Sequence, residues 1–182
     1  NTVNSLSGDG TLTLNTGTTF TFAGNMSGFS GRIAVGTITN PRFNGSTGSS
    51  NAWFDLGNTS AYLNTRNGVT AYIGALIGGS STILRGAESA DASSTYYIGG
   101  KNLDTTFAGR IQEKALTRVV NIVKVGTGTW TLTGASTYTG TTTVNNGTLL
   151  VNNTTGTGTG TNSVTVNNGG RLGGTGFIHG PV

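Results

Sequence analysis

The strongest constraint on this chain is that it repeats itself. Thr143-Val144-Asn145-Asn146-Gly147 returns unchanged as Thr165-Val166-Asn167-Asn168-Gly169. An exact return after so short an interval marks an architecture in which one supersecondary unit stacks on copies of itself, each burying the face its neighbour exposes. A looser motif of aromatic, small residue and glycine occurs at Phe29-Ser30-Gly31, Phe107-Ala108-Gly109 and Tyr138-Thr139-Gly140. Between these markers the residues alternate in polarity, as in Thr11-Leu12-Thr13-Leu14, Thr129-Trp130-Thr131-Leu132-Thr133 and Val164-Thr165-Val166. Period two sends one set of side chains inward and the other outward along a strand. The outward threonines suit a pleated, half-exposed surface, and the Asn-Gly steps supply turns that accept left-handed backbone. Asn-Gly also closes antiparallel hairpins, so a β-sandwich competes. The spacing from Thr143 to Thr165 suits one coil of a β-helix and favours stacked rungs.

Composition supports a thin core. Only 34% of residues are hydrophobic, enough to line a narrow solenoid but not to fill a broad globular interior. Thirty-two glycines stand against two prolines, which implies many tight turns, and only 9% of residues are charged, unlike a disordered chain. No composition shift divides the sequence, so residues 1–182 read as one β-helical module. The net charge of +4 comes from basic residues that are scattered singly in sequence: Arg32, Arg42, Arg66, Arg85, Lys101, Arg110, Lys114, Arg118, Lys124 and Arg171. A phosphate-tracking stripe needs clustering, so nucleic acid is not an expected partner. The chain has no cysteine, hence neither disulfides nor thiolate metal sites. No apolar run approaches the ~20 residues that span a bilayer as a helix, so membrane insertion is not expected. Asn1 does not open a signal peptide, and the chain reads as a mature or excised piece of a larger protein.

From Val123 to Val151 the chain places Gly126, Gly128, Trp130 and Leu132 on one strand, Tyr138 and Gly140 at a corner, and Val144, Gly147 and Leu149 on the next. This arrangement resembles the autotransporter-associated β-strand repeat, over residues 119–178 most clearly. The resemblance implies an all-β, right-handed parallel β-helix on an exported bacterial protein, secreted or held at the cell surface. At ~20–25 residues per coil the whole chain would form about eight coils. It also resembles β-helical carbohydrate-binding modules attached to secreted polysaccharide-degrading enzymes. That second likeness implies covalent linkage to other modules and a plant or microbial polysaccharide as partner, a xylan-like glycan being the first expectation.

Candidate ligand-binding residues follow from parity. Trp130 shares a face with Leu132 and is expected in the core. In Ala52-Trp53-Phe54-Asp55-Leu56, Phe54 and Leu56 take the inward positions, which sends Trp53 and Asp55 outward. The same reasoning turns Tyr72 and Tyr97 outward and Tyr96 inward. The steps from Trp53 to Tyr72 and from Tyr72 to Tyr97 are each near the length of one coil, so the three rings are expected to stack as an exposed strip. A flat aromatic strip packs against sugar rings, and Asp55, Asn64, Arg66 and Arg85 are placed to bond hydroxyls, with Tyr62 at the edge of the groove. The bland reading is cross-strand stabilisation, about 0.2–1 kcal/mol per pair.

Catalysis is not expected. A polysaccharide lyase or hydrolase needs paired carboxylates or an acidic cation site, whereas Asp9, Asp55, Asp104 and Glu113 are isolated and Glu88 with Asp91 sits in a polar loop. One histidine, His179, and no cysteine exclude a three-histidine or thiolate zinc centre. Gly156-Thr157-Gly158-Thr159-Gly160 lacks the lysine of a phosphate loop. No cofactor is implied, and calcium has no residues speaking for it. The reading is therefore a non-catalytic polysaccharide-binding module. The alternative is a structural or adhesive passenger or stalk segment, whose purpose is to extend other modules.

Overall fold

Strands and turns alternate through eight successive circuits in the computed structural model, which describes residues 1–36 and 40–182. The first four circuits contribute two strands each: β1 (Thr2–Ser5) and β2 (Thr11–Leu14), β3 (Thr19–Asn25) and β4 (Arg32–Val35), β5 (Asn40–Phe43) and β6 (Thr47–Asp55), β7 (Tyr62–Thr65) and β8 (Thr70–Ile77). The next two contribute three: β9 (Ile83–Ala87), β10 (Ser94–Ile98) and β11 (Thr105–Phe107), then β12 (Arg110–Gln112), β13 (Val120–Lys124) and β14 (Thr129–Leu132). The last two contribute β15 (Thr142–Val144) with β16 (Gly147–Val151), and β17 (Val164–Val166) with β18 (Gly170–Gly173). Every paired strand is parallel to its neighbours, and no helix is present among the described residues. The chain is a parallel β-solenoid, and the β-sandwich is excluded.

The rungs form a six-stranded sheet (β1-β3-β5-β7-β9-β12), an eight-stranded sheet (β17-β15-β13-β10-β8-β6-β4-β2) and a four-stranded sheet (β11-β14-β16-β18). The eight-stranded sheet is two faces joined at a corner. Thr47 to Ser49 pair with Ala71 to Ile73, and then, after a register shift, Trp53 to Asp55 pair with Ala75 to Ile77. The first segments continue into β10, whereas Arg32 to Ala34 pair with the second and Gly78 bridges to Phe107 at the start of the four-stranded sheet. Three outer faces result. The first carries the six-stranded sheet; the second runs from Thr47–Ser49 through β10, β13, β15 and β17; the third runs from β2 through the ends of β6 and β8 into β11, β14, β16 and β18.

The interior is a column of side chains one or two residues thick. Phe22, Phe43 and Phe54 pack tilted and edge-on with centroids 5.5–6.2 Å apart, and further along Phe107 and Trp130 lie at 6.4 Å. Trp130 is 1% exposed, as the parity with Leu132 predicts. The exact repeat is one rung: Thr143 pairs with Thr165 and Val144 with Val166, and the Asn167 amide donates to Asn145 Oδ1 at 2.7 Å. The aromatic-small-Gly motif is less regular than it reads. Phe29 and Tyr138 both sit just before a strand of the eight-stranded sheet, but Phe107 precedes β12 on the first face. Similar words there mark different corners.

Asparagine holds the corners. Asn102, Asn121, Asn152 and Asn153 each accept, through Oδ1, the backbone N–H of Thr127, Thr141, Thr175 and Phe177 one rung on, at 2.8–3.1 Å. Turn N–H groups that the ladder cannot reach are satisfied this way. Gly147, with φ of 66°, turns where a Cβ would meet the Gly126 carbonyl at 2.4 Å, which explains the glycine of the Asn-Asn-Gly step. The short segment after β12 is a turn closed by Arg118 N–H to the Ala115 carbonyl, with Leu116 82% exposed at its tip.

Candidate functional site

Alternation along β8 and β10 buries Ala71, Ile73, Tyr96 and Ile98 and turns Tyr72 and Tyr97 out onto the second face. The two are register partners, and their rings stack with centroids 5.3 Å apart and planes 28° from parallel. Tyr72 is 40% exposed. The column continues to Val123, Thr143 and Thr165 on one side and to Gly48 on the other. Gly48 has φ of 108°, and a Cβ there would meet the Tyr72 carbonyl at 2.2 Å. With no side chain in the way, Tyr72 becomes the wall of a groove with two lobes of about 440 and 290 Å³. Ser27, Ser46, Ser50 and Asn51 line it alongside the ring. Lys101 clamps its far side, donating to the carbonyls of Ser30 at 2.7 Å and Asn51 at 2.8 Å, which ties three rungs together. Serine, asparagine and glycine positions around Tyr72 escape sequence inspection, because nothing but the register reveals that they meet.

Trp53 does not join this strip. The register slip in β6 carries it past the corner onto the third face, where it pairs with Ala75 and Arg32. It is half-buried, its indole N–H is enclosed without a partner, and the Arg32 guanidinium lies 5.6 Å above its ring. Asp55, expected outward, is 7% exposed. Its carboxylate is ion-paired with Arg32 and accepts the Gly57 N–H at 2.8 Å, so it serves a turn and a salt bridge. The expected three-ring ladder is therefore a two-ring stack, because the extra residues Ser50–Ala52 break the one-coil spacing that the step from Trp53 to Tyr72 suggests.

Tyr62, Asn64 and Arg85 lie on the first face, not beside Tyr72, and Arg66 is exposed just past the end of β7. The Arg85 guanidinium covers the Tyr62 ring at 4.8 Å. Asn64, 2% exposed, donates to Glu88 at 3.4 Å, and Glu88 also pairs with Arg85 at 3.7 Å and with Lys114. The eight candidate residues thus divide: Tyr72 and Tyr97 on the second face, Trp53 and Asp55 on the third, and Tyr62, Asn64, Arg66 and Arg85 on or bordering the first.

The carboxylates of Asp55, Glu88, Asp91, Asp104 and Glu113 are engaged in structure. Arg118 bonds Asp91 at 3.0 Å and holds its carboxyl below the usual range, while Glu113 accepts the N–H groups of Val120 and Thr139 at 3.2 and 2.7 Å. Among the described residues no three His, Cys, Asp or Glu side chains gather to hold a metal ion.

One family model matches: residues 122–151 correspond to the passenger-associated-transport-repeat. The matched segment comprises most of β13 and all of β14, β15 and β16, one rung and the start of the next, and it agrees with the autotransporter-repeat resemblance carried by Gly126 to Leu149. No curated protein matches this chain.

Proposed function

From a passenger-associated transport repeat set within a continuous parallel solenoid, we propose that this chain is a passenger or stalk segment of an exported, surface-exposed bacterial protein. The observation that carries the proposal is that the matched repeat is built like the rest of the chain: one rung among eight, paired on both sides by parallel ladders. Such a stack gains length rung by rung, ~4.8 Å at a time, and each rung satisfies its backbone through its neighbours. A spacer needs no more than this. The test is removal of one rung, residues 143–164, from the surface-displayed parent protein. Thr142 is then followed by the identical Thr165-Val166-Asn167-Asn168-Gly169, so the register is kept. Surface exposure and adhesion are expected to persist. Loss of adhesion from a folded, displayed variant would assign function to that rung and overturn the spacer reading.

The stacked Tyr72–Tyr97 pair supports a second reading, in which the groove takes a polysaccharide. The rings stack on each other and leave the side of Tyr72 next to Gly48 free for a pyranose C–H face, and Ser27, Ser50 and Asn51 supply hydroxyl and amide partners. A xylan-like chain remains the first polysaccharide to try. In affinity electrophoresis, retardation by one soluble neutral polysaccharide should be lost in Tyr72→Ala. Equal mobility of the wild type in every polysaccharide contradicts this reading and leaves the pair as cross-strand packing.

A further inference from the structure

The fold gathers basic residues that are dispersed in the sequence. No strand of the first face carries a carboxylate, but β5, β9 and β12 carry Arg42, Arg85 and Arg110. Arg66 and Lys114 stand just beyond the ends of β7 and β12, with Glu88 and Glu113 the acids among them. The remaining five basic residues, Arg32, Lys101, Arg118, Lys124 and Arg171, stand against four acids, Asp9, Asp55, Asp91 and Asp104. This one side of the solenoid therefore carries three of the four net positive charges. Among the described residues no carboxylate pairs with Arg42, Arg66 or Arg110.

The groups are also ordered. Register places Thr21, Arg42 and Asn64 in one row and Arg85 opposite Gln112, the two separated by a register shift between Leu63 and Thr65, with Tyr62, Ile83 and Arg110 in the neighbouring row. Arg42 is steadied by Thr21 Oγ1 at 3.2 Å, Arg110 by Gln112 Oε1 at 2.8 Å, and Arg85 by the Tyr62 ring. Arg42 Nε, Asn64 Oδ1 and Arg85 Nε are enclosed without partners, whereas Arg66 and Arg110 are exposed. Exposed guanidinium groups without carboxylate partners, as at Arg66 and Arg110, fit planar anionic oxygens, which arginine takes in pairs.

We propose that this face binds an acidic polysaccharide, one whose carboxylate or sulfate groups are met by Arg42, Arg66, Arg85 and Arg110. Arg42 and Arg85 stand two rungs apart, about 10 Å at ~4.8 Å per rung. That spacing is about the length of a disaccharide, so it meets charges on alternate sugars of a glycan. A nucleic-acid duplex, with one charge per ~1.7 Å, demands a denser row, and single strands demand stacking platforms, whereas the Tyr62 ring is covered by Arg85. The site is separate from the Tyr72 groove and survives failure of the neutral-glycan reading.

The experiment is binding of the purified chain to polygalacturonate and heparin, with dextran and single-stranded DNA as comparators, at low and raised salt. Binding to an acidic polysaccharide that salt weakens is expected. The double variant Arg66→Gln/Arg110→Gln, both exposed and without carboxylate partners, should weaken it about tenfold or more. Arg171→Gln, an equal kind of charge loss on the third face, and Tyr72→Ala should leave it within about twofold. The proposal is overturned if neither acidic polysaccharide binds at low salt, if Arg171→Gln costs as much as the first-face pair, or if single-stranded DNA binds more tightly.

Discussion

Lys124 sits inside the stack at the end of β13, 1% exposed, with its ammonium donating to the carbonyls of Val125, Gly126 and Asn146 at 2.8, 3.0 and 3.2 Å. Burial pushes its pKa from 10.5 down to about 8, against a smaller upward pull from Asp104. Between that value and the ordinary one the unfolded chain holds a proton the folded chain has released, so stability rises with pH. Tyr96 and Tyr138 act oppositely. Burial raises both phenols above 10.0, and as the unfolded tyrosines ionise near that value stability falls. Urea midpoints should therefore climb from pH about 8 to a maximum below about 10 and then decline. In Lys124→Met the climb should vanish. A climb unchanged in Lys124→Met would place its origin elsewhere. Neither the burial of Lys124 nor that of Asp55 was legible from residue type, since parity assigns a face but not the partner that draws a charge under it.

The rung is the unit that this sequence writes. Alternation read Trp130, Tyr96 and Leu132 inward and Tyr72 and Tyr97 outward, because side-chain direction along a strand is local. The repeat at Thr143 and Thr165 read as one coil because nothing between them interrupts the register. Trp53 failed for the complementary reason: Ser50–Ala52 add residues at a corner, and polarity alternates through a corner as it does through a strand. The arginine row escaped notice because rung length varies. The step from Ser94 to its partner Val120 is longer than that from Leu12 to Ile33, which is in turn longer than that from Ile122 to Thr142, so no fixed interval shows which residues align. A rung is also the unit that can be removed. The purified chain lacking residues 143–164 should unfold cooperatively with a modestly lower midpoint, whereas deletion of 143–153 should abolish cooperative unfolding, since half a circuit places Thr154 where Thr143 stood and turns inward residues out. Equal tolerance of both deletions, read by circular dichroism during urea titration, would mean that register does not matter here.

At the scale of the molecule, stacking converts a sequence of weakly patterned, glycine-rich strands into three outer faces of different chemistry. One gathers arginines, one carries a stacked tyrosine pair and a groove, and one packs a half-buried Trp53 against Arg32. Each follows from neighbours that lie a full coil apart in the chain. The matched passenger repeat and the secreted or surface-exposed setting it implies are consistent with a fold whose length is adjustable and whose faces are independent. The most direct test is nuclear magnetic resonance detection of couplings across hydrogen bonds between rungs. Parallel stacking predicts couplings from the amide of Ile122 to the carbonyl of Thr141, of Asn145 to that of Lys124, and of Asn167 to that of Val144. Reciprocal couplings within hairpins, each amide of a pair bonding the carbonyl of the other, would contradict the solenoid and with it the face on which Arg42, Arg85 and Arg110 align.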